Sequence, residues 1–285
     1  MPTLHEKASA FAERHRGPGI VVLPNAWDPG TAIVMADAGF PFVATTSAGI
    51  AFAQGLPDGQ RLSRSRMLEL VAQIVAAVAV PVSADLEAGY GPRPEDVAAT
   101  VTGAVAAGAV GCNIEDSTGD RERPLFELEL AVERIRAGAE AARASGVPFV
   151  LNARVDPYLV GLGTPQENLA ESIRRANAYR EAGAGCLYVP GVTDPDAIRE
   201  LVREIDGPLN VLGARGGAAS ALRVSELEAL GVRRVSIGGS LMVATLALVR
   251  RAAAELRDRG TYGYAPEAMR NTEANDLMVR ARPGA

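Results

Sequence analysis

One local pattern recurs eight times along this chain: a short apolar run followed by an amphipathic stretch, at a spacing of roughly 25 to 40 residues. Short apolar runs alternating with helical patterns read as neighbouring strands of a parallel sheet, because parallel pairing needs a crossover long enough to hold a helix. The strand candidates are Ile20–Leu23, Phe42–Thr45, Val80–Ala84, Val110–Ile114, Phe149–Asn152, Cys186–Val189, Leu209–Leu212 and Arg234–Ile237. Helical stretches such as Arg64–Ala79, Pro94–Ala107 and Thr164–Ala182 lie between them. Several end in an Ala-Gly pair just before the next strand (ADAGF, AAGAV, EAGAG), where glycine suits a helix C-cap. Eight such units in about 240 residues predict an α/β fold of the (β/α)8 TIM-barrel kind, with its chemistry at the C-terminal strand ends. An open doubly wound sheet is the alternative, but no GxGxxG loop follows the first strand.

With 285 residues, 48% of them hydrophobic, and no linker-like break, the chain reads as a single barrel domain over residues 1–285. Residues 241–285 form a C-terminal helical extension within it. Its run Leu241–Leu256 is more apolar than one barrel face needs to cover, so a homo-oligomer, a tetramer, is expected. A formal charge of -5 gives no footprint for nucleic acid, and no apolar run reaches the ~18 residues of a membrane span. The polar N-terminus has no apolar signal core, which predicts a cytoplasmic protein. Cys112 and Cys186 sit inside apolar runs and read as buried hydrophobes. His5, His15 and Lys7 all fall in the N-terminal helix, away from any cleft built by later strand ends. A histidine base or lysine Schiff base is therefore not expected, and arginine carries the positive charge.

The third strand leads into PVSADLEAGYG, where Asp85 and Glu87 lie two apart. In an extended chain such residues share a face, so both carboxylates can meet one hard divalent cation while Gly89 and Gly91 let the backbone turn away. One unit later GAVGCNIED ends in Glu115 and Asp116, which suggests an acidic mouth. The other strand ends offer Asn25, Trp27 and Asp28 (PNAWDPG); Ser47, Ala48, Gly49 and Asp58; Asn113; Arg154 and Asp156 (NARVDPY); Tyr188 and Pro190 (YVPG); Asn210; and Gly238 with Gly239. Singly, Asp28, Asp58 and the stretch from Asp116 to Asp120 fit turn caps or a solvated loop equally well. Jointly, Asp85, Glu87, Glu115 and Arg154 need mutual compensation or a metal.

Taken in order, PNAWD, TTSAG, LPDG, the D-x-E-x-GYG turn, NIED, NARVD and VPG resemble the isocitrate lyase/phosphoenolpyruvate mutase superfamily over residues ~20 to 255. The resemblance implies a (β/α)8 barrel, a homotetramer built from dimers that exchange a C-terminal helix, Mg2+ (or Mn2+), and a pyruvate-like enolate as the reacting species. It implies that Asp85 holds the metal directly or through water, that Glu87 and Glu115 contact its waters, and that Asp58 belongs to the same shell. It further implies that backbone amides around Ser47, Ala48 and Gly49 bind the carboxylate and enolate oxygens, that Arg154 pairs with the substrate carboxylate or its leaving fragment, and that Trp27 walls the pocket. Asp58, Glu115 and Arg154 are the catalytic candidates, and Tyr188 and Asn210 shape substrate choice.

The chain departs from the family after the fourth strand. Its DSTGDRERPLFEL has neither the Lys-[Lys/Arg]-Cys-Gly-His loop of the carbon–carbon lyases nor the Lys-x-Asn-Ser element of the phosphonate branch. Ser117 to Leu125 reads instead as a mobile gate whose Arg121 and Arg123 close over substrate. The expected function is that of an Mg2+-dependent lyase or decarboxylase, which breaks a C–C bond of a small 2-oxo or 2-hydroxy dicarboxylic acid through a pyruvate-like enolate. A metal and backbone N–H donors stabilise charge developing on such an oxygen. The alternatives are P–C bond chemistry on phosphonopyruvate or a relative, and a catalytically silent barrel that binds a 2-oxo acid.

Overall fold

The computed structural model describes residues 2–214 and 222–281. Among the described residues nine short strands form one parallel sheet: β1 (Val21–Leu23), β2 (Asn25–Ala26), β3 (Val43–Thr45), β4 (Val82–Asp85), β5 (Gly111–Glu115), β6 (Val150–Arg154), β7 (Cys186–Val189), β8 (Leu209–Leu212) and β9 (Arg234–Ser236). Their order is β1-β9-β8-β7-β6-β5-β4-β3-β2. β1 and β2 are halves of one strand divided at Pro24. Val21 pairs with Arg234 of β9 on one side, and Asn25 with Ala44 of β3 on the other. Proline has no N–H for the ladder, yet its carbonyl still accepts from the Ala44 amide at 2.8 Å. Both ends of the sheet therefore belong to one strand, and the sheet closes as an eight-stranded barrel.

The first strand was expected to stop at Leu23. It runs on to Ala26, which puts Asn25 in the barrel wall. Glu115 and Arg154 are the last residues of β5 and β6 and stand directly opposite one another in register.

Around the barrel lie α2 (Pro29–Asp37), α3 (Ser47–Ala53), α4 (Arg64–Ala77), α5 (Pro94–Ala106), α6 (Leu128–Ala144), α7 (Pro157–Val160), α8 (Pro165–Glu181), α9 (Pro195–Glu204) and α10 (Val224–Ala229). α1 (Leu4–Arg16) precedes the barrel, and α11 (Ser240–Arg259) and α12 (Asn271–Arg280) follow it. The sequence explains where the helices start: Ser63 and Thr164 accept hydrogen bonds from first-turn amides of α4 and α8, and proline opens α8 and α9. Asp28 likewise caps α2 through the Thr31 amide at 2.7 Å, so it serves the turn and not the site. Met67, Val71 and Ile74 of α4 recur at helical spacing and are buried.

α1 crosses the strand starts. Its Ala8, Phe11 and Ala12 form a cluster with Val21, Phe42, Val110, Val150 and Cys186. The N-terminal end of the barrel is plugged, which leaves the C-terminal end for chemistry. Cys112 and Cys186 are both buried free thiols. α11 is the exception to ordinary packing: among its residues only Met242 is buried, while Leu241, Val243, Leu246, Leu248, Val249 and Leu256 are exposed. Among the described residues no helix is long and apolar enough to cross a membrane.

Candidate active site

β4 delivers Asp85 to the C-terminal end of the barrel, where its Oδ2 accepts the Ser47 amide at 3.0 Å and the Ser47 hydroxyl at 2.9 Å. The Asp85 amide donates to Thr45 Oγ1 at 2.8 Å. The chain then leaves the extended conformation, with φ of 51° at Glu87, 87° at Gly89 and 59° at Tyr90. A left-handed φ at a non-glycine residue costs on the order of 1 kcal/mol or more and persists only where its surroundings fix it. Here the Glu87 carboxylate accepts from the Gln60 amide and from the Tyr90 hydroxyl. Buried Arg134 of α6 donates to the carbonyls of Gly91 and Ala88 and lies over the Phe126 ring at 4.0 Å. A Cβ on Gly91 would meet the Asp96 carboxylate at 2.4 Å, so this position requires glycine. The expected sharing of a strand face by Asp85 and Glu87 is corrected accordingly: a bent backbone, not strand alternation, brings Glu87 near.

Arg154 is clamped from two sides. Glu115 Oε2 lies 2.5 Å from its Nη1, and Asp156 accepts from Nε at 2.7 Å and Nη2 at 2.9 Å. Burial opposes its charge, but Asp156 and Glu115 outweigh that and hold the guanidinium well above its ordinary pKa. Asp116 turns away from the cavity. It accepts from the Asp156 amide, Tyr179 Oη and Arg175 Nη1 at 2.9, 2.8 and 3.2 Å, and so ties β5 to α8. Below Asp85, Asn113 Oδ1 accepts from Asn152 Nδ2 at 2.6 Å. Burial, and then the charges of Asp58 and Asp85, push the Glu87 carboxyl up to about 7. Asp58 is also raised, by desolvation at the cavity mouth and then by Asp85. Because Asp58 is an exposed residue, water weakens the first of these effects.

These groups surround a cavity of about 700 Å3. Ser47, Ala48, Asp58, Asp85, Arg154 and Tyr188 line it directly, and Glu87 and Glu115 sit behind Asp85 and Arg154. Of the amides expected to bind substrate, that of Ser47 serves Asp85 and that of Gly49 is directed to Thr46 Oγ1. The Ala48 amide is left without a partner among the described residues.

Besides Glu87 and Glu115, five candidates lie away from the lining: Gly49, Trp27, Asn210, Arg121 and Arg123. Trp27 packs on α3, where its Cβ is 2.9 Å from an added Gly49 Cβ, so it stands behind the wall it was expected to form. Asn210 is fully buried and bonded to Ser236 at 3.2 Å, below the floor. Arg121 and Arg123 are exposed, on a hairpin that closes on itself through the Ser117–Leu125 bridge and the Thr118 amide to Pro124 carbonyl bond. Arg123 borders a separate cavity of about 480 Å3 together with Gln60, Gly91 and Phe126.

Among the described residues no three carboxylate, imidazole or thiol side chains converge closely enough to cage a metal. The donors present are nonetheless all oxygen, with Asp58 and Asp85 in the lining and Glu87 behind them. That set fits a hard dication that keeps most of its waters and touches the protein mainly through Asp85. A caged ion of the zinc type does not fit.

The family model described as phosphoenolpyruvate phosphomutase matches residues 11–257. The chain belongs to the isocitrate lyase/phosphoenolpyruvate mutase superfamily. It is an enzyme of that lyase and mutase group. A Burkholderia cenocepacia protein of the lyase/mutase kind superposes with a TM-score of 0.90 at 45% identity, covering 96% of this chain and 95% of its own. The 2,3-dimethylmalate lyase of Eubacterium barkeri is 29% identical, covering 91% of this chain and 89% of its own. Phosphonopyruvate hydrolase, solved with oxalate and Mg2+, superposes with a TM-score of 0.84 at 27% identity, covering 97% and 96%.

Two sets of residues escaped the sequence reading. Arg134 was visible only as an arginine on the apolar stripe Ala131, Ile135, Gly138 and Ala142 of α6. Its burial shows that this stripe covers the turn after β4 as well as the sheet. Leu159, Leu212, Val243 and Ala247, which line the cavity, carried no signal, because an apolar residue in a strand or helix reads the same whether it faces core or cavity.

Proposed function

We propose that the protein is an Mg2+-dependent lyase that breaks a C–C bond of a small 2-oxo or 2-hydroxy dicarboxylic acid through a pyruvate-like enolate. The observation that carries this reading is the oxygen-only site at one cavity: Asp85 poised by two Ser47 donors, Asp58 at the mouth, and Arg154 clamped beside them. When bound, the metal supplies a Lewis acid for the developing oxyanion. Asp85 would hold the metal, and Glu87 and Glu115 would hold its waters. Arg154 stays charged and, fixed by Glu115 and Asp156, presents its remaining N–H groups to the substrate carboxylate without reorganising. The Ala48 amide offers one further donor. Phosphonopyruvate hydrolase has been solved with oxalate and Mg2+, and oxalate has the shape and charge of a pyruvate enolate, which supports the same pairing here.

The hairpin from Ser117 to Leu125 acts as a gate that moves as one unit, with Arg121 and Arg123 carried over the cavity on closure. A second copy of the chain covers the exposed apolar residues of α11, giving the dimer from which the tetramer that the resemblance implies is built. The enzyme works on soluble acids in the cytoplasm. Coupling 2-oxo acid release to a dehydrogenase, across a panel of C4 to C6 acids with Mg2+, tests the assignment. Phosphate release from phosphonopyruvate, with no turnover of any carbon acid, would replace it with the phosphonate reading.

A further inference from the structure

Tyr90 and Tyr179, which flank the site, each donate to a carboxylate: Tyr90 Oη to Glu87 at 3.1 Å and Tyr179 Oη to Asp116 at 2.8 Å. Tyr188 does not. It is only 5% exposed and lines the cavity, yet its hydroxyl has no hydrogen-bond partner among the described residues, whereas a buried tyrosine hydroxyl ordinarily finds one. β7 sets it in register beside Arg154 of β6, so phenol and guanidinium stand on neighbouring strands at the same level of the barrel. Burial raises its pKa and keeps the phenol protonated, while the charge of Arg154 works against that rise by favouring the phenolate. The other hydroxyls of the lining are less suited to give up a proton. Ser47 donates to Asp85, and Ser236 shares its bonds with Asn210. Thr46, whose Oγ1 accepts the Gly49 amide, and Ser240 are alkyl alcohols, far weaker acids than a phenol. Arg154 is held charged by two carboxylates, and the hairpin from Ser117 to Leu125 contains no Cys, His or Lys.

We propose that Tyr188, expected from the sequence only to shape substrate choice, is the acid that protonates the enolate carbon after C–C cleavage. This inference rests on the enolate-site reading above and adds the proton source which that reading lacks. The Tyr188 O–H bond breaks, and the electron pair of the enolate C=C forms the new C–H bond. The enolate oxygen becomes the carbonyl of the 2-oxo acid. The phenolate left behind has Arg154 beside it as counter-charge, and water restores its proton when the product leaves. A positioned acid of this kind is general acid catalysis in its ordinary form.

The test follows enolpyruvate, released from phosphoenolpyruvate by a phosphatase, as it ketonises to pyruvate in the presence of the intact protein and Mg2+. Wild type should accelerate the loss of ultraviolet absorbance, and oxalate should block that acceleration. Tyr188→Phe, which removes only the hydroxyl, should lose about 100-fold or more of the acceleration while binding oxalate with Mg2+ as wild type does, a separation that a merely structural role would not produce. Tyr188→Leu should show the same loss, so the result does not hang on how one replacement packs. If Tyr188→Phe keeps the acceleration, or loses oxalate affinity along with it, Tyr188 is not the acid. If wild type binds oxalate but leaves ketonisation at its uncatalysed rate, the acid assignment fails and the enolate site stands. If wild type does not bind oxalate with Mg2+, the enolate site is wrong and the acid falls with it.

Discussion

Glu87 should destabilise the metal-free protein at neutral pH, and by a predictable amount. Burial, Asp58 and Asp85 move its carboxyl from an ordinary 4.5 to about 7 in the folded state. A raised folded pKa means that the folded protein holds a proton that the unfolded chain has released. The associated stability is complete below pH 4.5 and is lost as pH rises through about 7. Across that interval, at about 1.4 kcal/mol per pH unit, the loss reaches about 3 kcal/mol.

Glu87→Gln mimics the protonated acid at every pH and still offers polar partners to the Gln60 amide and the Tyr90 hydroxyl. In chelator-treated protein the variant should match wild type near pH 5 and exceed it at pH 8 by about 3 kcal/mol, a melting shift of roughly 6 °C for a chain of this size. Magnesium should narrow the gap, because a dication relieves the repulsion that the substitution removes. Melting curves at half-unit pH steps, with and without Mg2+, read this directly. A variant less stable than wild type at pH 8 without metal would refute the picture of a crowded carboxylate site.

Three further outcomes follow from the same geometry. Arg154→Met leaves Glu115 and Asp156 without their buried partner and should cost about 3–5 kcal/mol in urea unfolding, whereas a loss below 1 kcal/mol would mean that the clamp is solvated. His15 is buried and neutral, with burial and then Arg234 lowering its pKa to about 4. The unfolded chain binds the extra proton as pH falls from 6.5 to 4, so wild type should lose about 3 kcal/mol relative to His15→Met over that window, and parallel stability curves would count against it. Replacing Arg121 and Arg123 together with alanine should raise KM on a confirmed substrate without removing a limb of the pH profile; unchanged kinetics would reduce the hairpin to a solvated connection.

The barrel was legible because apolar runs separated by helical stretches admit few topologies, and seven of the eight expected strands occur within two residues of their expected bounds. The eighth was cut short at Leu23: Pro24 reads as a strand end, and only closure of the ring, with β9 on one side and β3 on the other, shows that the strand continues. At the site, the types of residue were readable and their directions were not. Asp116 and Glu115 are adjacent in one strand end, yet one faces Arg175 and the other Arg154. Glu87 depends on a left-handed backbone that no alternation rule anticipates. Arg121 and Arg123 drew attention by charge alone, while the apolar lining residues of α7, β8 and α11 were indistinguishable from core.

The central claim is that Asp85 organises a metal-dependent site for an enolate-like dianion. Oxalate binding, measured by calorimetry with and without Mg2+ on wild type and on Asp85→Ala, tests it most directly. The account predicts binding by wild type with Mg2+ only, and none by the variant under either condition. Equal oxalate affinity without metal, or affinity retained in Asp85→Ala with Mg2+, would contradict it.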